Sequence, residues 1–221
     1  SKNMEYYLAA WSVAQVAGRL GHKEDSVRFH NLSMCYKKIY DERVGYFRAK
    51  DKAGNFRTTE GFNPSHHTKD YTEGTPWQYL WLVPHDVNGL IDMLGGKKKA
   101  EARLDSLFLA DSKLNADANP DISGLIGQYA HGNEPSHHTI YIYNYLGQPD
   151  KASRRIHEVF QTMYTDKPDG VCGNEDVGQM SAWYVMAAMG LYQVEPCGGI
   201  YQLSAPLARE ASFDVAEGKT F

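Results

Sequence analysis

The chain has 221 residues, 42% of them hydrophobic, and carries 23 basic against 27 acidic side chains for a net charge of -4. That is enough apolar material for one substantial core. The absence of a long basic run excludes a phosphate-backbone partner such as nucleic acid, and no stretch approaches the roughly 18 consecutive apolar residues of a membrane span.

Apolar and small residues recur at helical spacing over residues 4–20 (Leu8, Trp11, Val13, Val16, Ala17, Leu20) and stop at Gly21, as a helix C-terminus should. The first six residues lack the charged-then-apolar order of a signal peptide, and the chain opens inside a helical pattern, which predicts a piece of a longer protein. A second helix is predicted over 23–40, antiparallel to the first. Within a long loop ending near Glu73, the segments around Tyr46-Phe47 and Asn55-Phe56 flank a turn and predict a short hairpin over 44–57. A helical region over 75–94, disturbed by Pro84, is followed by the connector Gly95-Gly96 and a helix over 97–110. After a second long loop, 111–134, a helix over 135–146 has proline at its first turn, and Gly147-Gln148-Pro149 leads into a helix over 150–164. A third long loop, 165–177, runs into a helix over 178–191, and strands are predicted at 200–203 and 212–215.

Long and short connections therefore alternate, which places the long loops at one end of a layered helical array and the short turns at the other. This is the pattern of an α/α toroid: an all-α fold class with a few short strands. The helices entered from long loops are aromatic-rich and predict an inner ring; those starting near Lys23, Lys97 and Asp150 are amphipathic and predict an outer ring. Pro-Ser-His-His-Thr occurs at 64–68 and again at 135–139, once in a loop and once opening a helix, and is read as coincidence. Cys35, Cys172 and Cys197 lack the close spacing of a metal site; reduced thiols are expected, with one disulfide left open.

Each long loop carries a carboxylate and a glycine straight into a helix: Tyr71-Thr72-Glu73-Gly74, His131-Gly132-Asn133-Glu134-Pro135 and Gly173-Asn174-Glu175-Asp176-Val177-Gly178. Any one of these acids alone reads as a helix cap, since the first amides of a helix lack partners and its dipole favours negative charge. Three of them at one end of one fold make an acidic pocket, as glycoside hydrolysis requires: one carboxyl protonates the leaving oxygen, and another attacks or activates water. Glu73 lies just before Trp77, an aromatic wall suited to a protonated acid, while Asp176 stands at a helix start that favours the charge of a base. Of the tryptophans, Trp77 and Trp183 are the candidates to line a sugar pocket. The histidines His131, His137 and His138, with His66, His67 and His85, raise the alternative of zinc, but His137 and His138 are adjacent on a helix and diverge. A hard cation such as calcium would instead find oxygen donors in Gln128, Asn133, Asn174 and Glu175.

At these loops the chain closely resembles glycoside hydrolase family 92, the calcium-dependent bacterial exo-α-mannosidases. The matching segments run from Tyr71 to Tyr79 with Val83-Pro84-His85-Asp86, from His131 to His138, and from Pro168-Asp169-Gly170 through Gly173 to Tyr184. The resemblance implies part of an (α/α)6 catalytic toroid over residues 1–195 and the start of a C-terminal β-strand segment over 196–221. The family's N-terminal β-sandwich and early toroid helices would lie outside this chain. It implies inverting hydrolysis of terminal α-mannosides, α-1,2-linked ones foremost, assisted by Ca2+ that binds hydroxyls of the terminal mannose. It also implies a mannose-containing glycan and the N-terminal domain of the same protein as partners, no membrane partner, and a periplasmic or secreted location. The family's base matches Asp176; Glu73 carries over as the acid, with Glu134 in reserve. Trp77, Gln78, His85, Asp86, Asn133, His137, Asn174, Glu175 and Gln179 are the implied substrate contacts, and no metal ligands are assigned. Some members carry an acidic residue where this chain has Asn174, which withdraws an auxiliary base. The fragment alone is expected to be inactive. Competing readings are a non-catalytic carbohydrate-binding or scaffolding toroid and a glycoside phosphorylase, the latter requiring a basic anion site that these loops do not show.

Overall fold

The computed structural model describes residues 1–220. Helix α1 (Lys2–Arg19) buries Met4, Ala10, Ala14 and Ala17, and this mostly small-residue stripe lets α2 (Lys23–Ser33) pack closely beside it. The second helix does not continue to residue 40 in α form. It tightens into a 3-10 segment, Met34–Ile39, in which Tyr36 turns fully inward and donates its hydroxyl to Asp86 at 2.7 Å. α2 itself buries only Ser33 and leaves Val27 and Leu32 exposed, so the amphipathic outer helix expected there has no covered apolar face.

Strands β1 (Tyr40–Asp41) and β2 (Tyr46–Phe47) pair antiparallel with Tyr40 opposite Phe47. The hairpin predicted over 44–57 is thus displaced: its first half pairs backwards with Tyr40–Asp41, and a single bridge between Lys50 and Phe56 closes the second turn. Asp41 fixes this arrangement, buried against the guanidinium groups of Arg43 at 2.8 Å and Arg48 at 2.7 Å.

The region 75–94 divides into α3 (Pro76–Tyr79) and α4 (Val87–Met93). Pro84 donates no backbone hydrogen bond and disfavours the helical conformation at Val83, and Asp86 starts a new helix by accepting the Gly89 N–H at 3.0 Å. After α5 (Lys97–Leu109) the chain makes a hairpin not foreseen in the sequence, β3 (Leu125–Ile126) with β4 (Tyr129–Ala130). The helix predicted over 135–146 is instead two 3-10 turns, Glu134–Ser136 and Thr139–Tyr141, and the single turn α6 (Ile142–Tyr145). The reason is tertiary: residues 136–143 are all buried, and His138 spends its ring on the Trp81 carbonyl rather than leaving a polar face to solvent.

Periodicity was a better guide on the outer layer. α7 (Pro149–Met163) buries Ala152, Ile156, Val159 and Phe160, the i, i+4, i+7, i+8 stripe of an amphipathic helix. α8 (Gln179–Ala188) follows the third long loop, and β5 (Leu191–Tyr192) pairs with β6 (Gln202–Leu203), then β7 (Asp214–Val215) with β8 (Lys219–Thr220). Trp81, Trp183, Tyr36, Tyr79, Tyr129, Tyr141 and Tyr143 are fully buried and fill the core between these helices. The turns at 20–22, 94–96 and 146–148 are short, and the connections over 48–75, 110–134 and 164–178 are long. All three cysteines are free, and among the described residues no helix is long and apolar enough to cross a membrane.

Candidate active site

The long loops meet. In the first, Thr75 and Gln78 form a capping box at the start of α3, which fixes the chain just downstream of Glu73. Glu73 itself has φ 50°, a left-handed conformation that a non-glycine residue adopts only under constraint. Its carbonyl accepts a 2.8 Å hydrogen bond from Asn133 Nδ2 on the second loop. The second and third loops touch through their backbones: a Cβ built on Gly173 would lie 2.7 Å from the Gly132 carbonyl oxygen. Asn174 Nδ2 adds a 3.1 Å bond to Asp121 Oδ1, joining the third loop to the stretch before β3.

Glu134, half-buried where the loops converge, has Oε1 buried with no hydrogen-bond partner. Burial pushes its carboxyl up from the usual range, and the adjoining Asp176 carboxyl and the charge of Glu73 push it in the same direction. One carboxyl from each long loop therefore acts on a common space. Asp176, exposed just ahead of α8, has φ 49° and Val177 has φ 57°, so the residue that the resemblance implies as base also sits on left-handed backbone. Glu73 and Asp176 share that conformation with only Val177 and Cys197 among the described non-glycine residues.

Several residues implied as substrate contacts are committed elsewhere. Glu175 accepts the N–H groups of Gly178 and Ser181, and its hydrogen bonds, that of the Ser181 side chain first, hold its carboxyl below the usual range: it ties down the start of α8, whose N-cap residue is Gly178. His85 is buried under α1 with Nε2 3.2 Å from the Ser33 carbonyl, and Asp86 caps α4, accepts from Tyr36 and pairs with Lys37 at 3.5 Å. Gln78 is consumed by the capping box and by the Gln128 carbonyl. Trp77 turns its ring towards Tyr46 and the Arg103 guanidinium and gives its indole N–H to Ser65. Trp183 is core, donating to the His137 carbonyl. His137 donates to the His131 carbonyl and leaves Nδ1 3.4 Å from Gln179 Nε2, which is exposed at the start of α8.

The histidines do not converge on a point. His131 lies between the hydroxyls of Tyr129 (2.8 Å) and Tyr164 (2.7 Å), and burial drives its pKa down to about 2; His137 and His138, buried likewise, fall to about 4. Among the described residues no group of three His, Cys, Asp or Glu side chains is arranged to hold a metal ion. Of the oxygen donors weighed for calcium, Glu175 is engaged through both carboxylate oxygens and Asn133 and Asn174 are held through Nδ2, whereas Gln128 Oε1 is buried and unpartnered, as is Glu134 Oε1. Only the Glu134 oxygen lies among other carboxylates. Sequence reasoning weighed His67 only as a zinc ligand and missed Asn115; the two join the first two loops, and the first Pro-Ser-His-His-Thr copy, which holds His67, was the available signal.

The model of the glycosyl hydrolase family 92 catalytic domain matches residues 1–221. Among solved structures the chain superposes on the family GH92 α-mannosidase BT3965 from Bacteroides thetaiotaomicron with a TM-score of 0.87 and 38% identity, over 98% of this chain and 28% of that one. The family GH92 inverting mannosidase BT2199 from Bacteroides thetaiotaomicron VPI-5482 gives 0.84 and 35% over 99% of this chain and 30% of that one. An uncharacterized secreted glycosidase from Arthroderma benhamiae is 34% identical over 148 residues, 67% of this chain and 17% of the relative. The chain thus spans less than a third of the length of each of these relatives.

Proposed function

The chain belongs to glycosyl hydrolase family 92, and from that footing we propose that the enzyme containing it hydrolyses terminal α-mannosides with inversion. BT3965 has also been solved in complex with mannoimidazole, which supports mannose as the sugar recognised. Residues 1–195 would supply part of the catalytic toroid and 196–221 the start of a β-strand segment. The secreted relative supports action outside the cytoplasm.

The observation that carries the reading is the meeting of Glu73, Glu134 and Asp176 from three separate loops. In an inverting reaction a water stands between base and sugar, so acid and base are about 6.5–9.5 Å apart. Asp176 weighs more on the Glu134 carboxyl than Glu73 does, which favours Glu73 as the acid that stands across the water from Asp176. Asp176 would take a proton from water as that water attacks the anomeric carbon; Glu73 would give its proton to the departing glycosidic oxygen. Gln179, oriented by His137, is the exposed amide best placed to meet a sugar hydroxyl. Glu134, with its orphaned oxygen among like charges, is the residue suited to hold calcium. When bound, that ion would offset the acidic charge and grip hydroxyl oxygens.

The test is proton NMR of α-mannoside cleavage by the full-length enzyme, which should release β-mannose first. Asp176→Asn and Glu73→Gln should each lower kcat by about 10²–10⁴-fold, the usual worth of a general acid or base. Retained turnover in Glu73→Gln with loss in Glu134→Gln would move the acid to Glu134. The 221-residue chain alone should turn over an aryl α-mannoside far more slowly than the whole enzyme; comparable rates would show that the rest of the protein adds nothing to the pocket.

A further inference from the structure

We propose that His67, Asn133 and Tyr79 are positioning residues that clamp the left-handed turn at Glu73 and thereby aim its carboxyl; the inference rests on the reading of Glu73 as the acid. Three successive backbone carbonyls are each held by a side-chain donor from a different part of the chain. Tyr79 at the end of α3 donates its hydroxyl to the Thr72 carbonyl at 2.6 Å. Asn133 on the second loop donates Nδ2 to the Glu73 carbonyl at 2.8 Å. His67 meets the Gly74 carbonyl through Nδ1 at 2.8 Å, and since a carbonyl only accepts, Nδ1 carries the proton.

His67 is itself held. Its N–H donates to Asn115 Oδ1 at 2.8 Å and its carbonyl accepts from Asn115 Nδ2 at 3.2 Å, so one amide side chain braces both sides of its backbone. The left-handed conformation at Glu73 (φ 50°) is disfavoured for a residue with a Cβ, which crowds the following carbonyl oxygen. The three hydrogen bonds act together against that preference, and each pin removed weakens the hold. With one pin removed, the turn would relax towards right-handed backbone and swing the carboxyl away from the glycosidic oxygen. Gln78 and the capping box would still hold α3, because they lie downstream of the turn.

This role has a kinetic signature that a general loss of structure lacks. A general acid matters when the leaving alcohol is basic and hardly at all when the leaving group is 2,4-dinitrophenolate. In the full-length enzyme, His67→Phe should lower kcat about tenfold or more on a mannosyl-mannose disaccharide, a fraction of the 10²–10⁴ that a general acid supplies, and leave 2,4-dinitrophenyl α-mannoside near the wild-type rate. His67→Asn, whose Nδ2–H can stand in for Nδ1–H, should recover most of the loss. Tyr79→Phe, which removes one hydroxyl and keeps the ring, should show the same selectivity and serves if His67→Phe folds poorly. Equal losses on both substrates, or none, in His67→Phe and Tyr79→Phe would overturn the clamp, provided Glu73→Gln shows the leaving-group selectivity. If Glu73→Gln itself lacks that selectivity, it is the acid assignment that fails.

Discussion

Glu134 is a carboxyl set where its own charge is unwelcome. Burial first, and then the neighbouring Asp176 and the charge of Glu73, favour its protonated form in the folded protein relative to the unfolded chain. The sign of the linkage follows. Below the unfolded value, about 4.3 for glutamate, both states carry the proton and nothing is lost; as pH rises from there through the raised folded value, the folded state is progressively penalised. Glutamine has the shape of the protonated form at every pH. Glu134→Gln should therefore raise the melting temperature at pH 7–8 without divalent cations, and the gain should shrink to nothing near pH 4. A pH-independent difference between the two melting curves would remove the like-charge account of this site. Added calcium should narrow the gap from the wild-type side, because only the carboxylate gains from a bound cation.

At the scale of elements, the loops were more legible than several of the helices that carry them. The alternation of long and short connections, and the carboxylate at the end of each long one, could be read directly from Glu73, Glu134 and Asp176. The amphipathic α7 was equally plain because one face meets solvent. Residues 135–146 misled because a segment buried on all sides has no polar face to set a period, and His138 reaches a carbonyl distant in sequence, that of Trp81. The contacts of His85, Asp86 and Glu175 were hidden for a related reason: an acid or imidazole that caps a helix or fills a core has the same letter as one that binds sugar. How loops touch was invisible in sequence, and the contact of Gly173 with Gly132 gives it a test. Gly173 and Gly147 both have positive φ, 91° and 81°, so alanine is strained at either, by about 1 kcal/mol or somewhat more. At Gly147 a Cβ meets nothing within 4 Å, whereas at Gly173 it lies 2.7 Å from the Gly132 oxygen and must part the second and third loops. Gly173→Ala should thus lose more stability than Gly147→Ala in urea titrations. In the full-length enzyme it should also lose turnover, which Gly147→Ala should keep; matched effects of the two would mean that this backbone contact does not set the site.

For the molecule as a whole, the buried histidines dictate how it meets acid. His131 is driven to about 2, His137 and His138 to about 4, and His85 downwards as well, in every case chiefly by burial. The unfolded chain takes up a proton at each near 6.5, so the folded state holds its full advantage above that value and loses it as pH falls from about 6.5 towards about 4. Each such group can withdraw up to about 1.4 kcal/mol per pH unit across that window. Even half of that from these four exceeds one kcal/mol per pH unit, against a typical domain stability of about 5–15 kcal/mol. Glu134 works the other way, gaining as pH falls, but it is one partly exposed group against four buried ones. Asp41, whose carboxyl its Arg43 and Arg48 partners hold well below the usual range, adds to the loss only once pH passes below about 4. The urea midpoint should accordingly fall steeply between pH 7 and pH 5, and unfolding at pH 5.5 should take up about three protons, measurable from the dependence of calorimetric enthalpy on buffer ionisation. His138→Gln, which keeps a donor for the Trp81 carbonyl but cannot titrate, should flatten the profile by about one proton. A midpoint that stays level from pH 7 to pH 5 would mean that these imidazoles find water in the folded state, and that the histidine-lined interior behind the carboxylates is open.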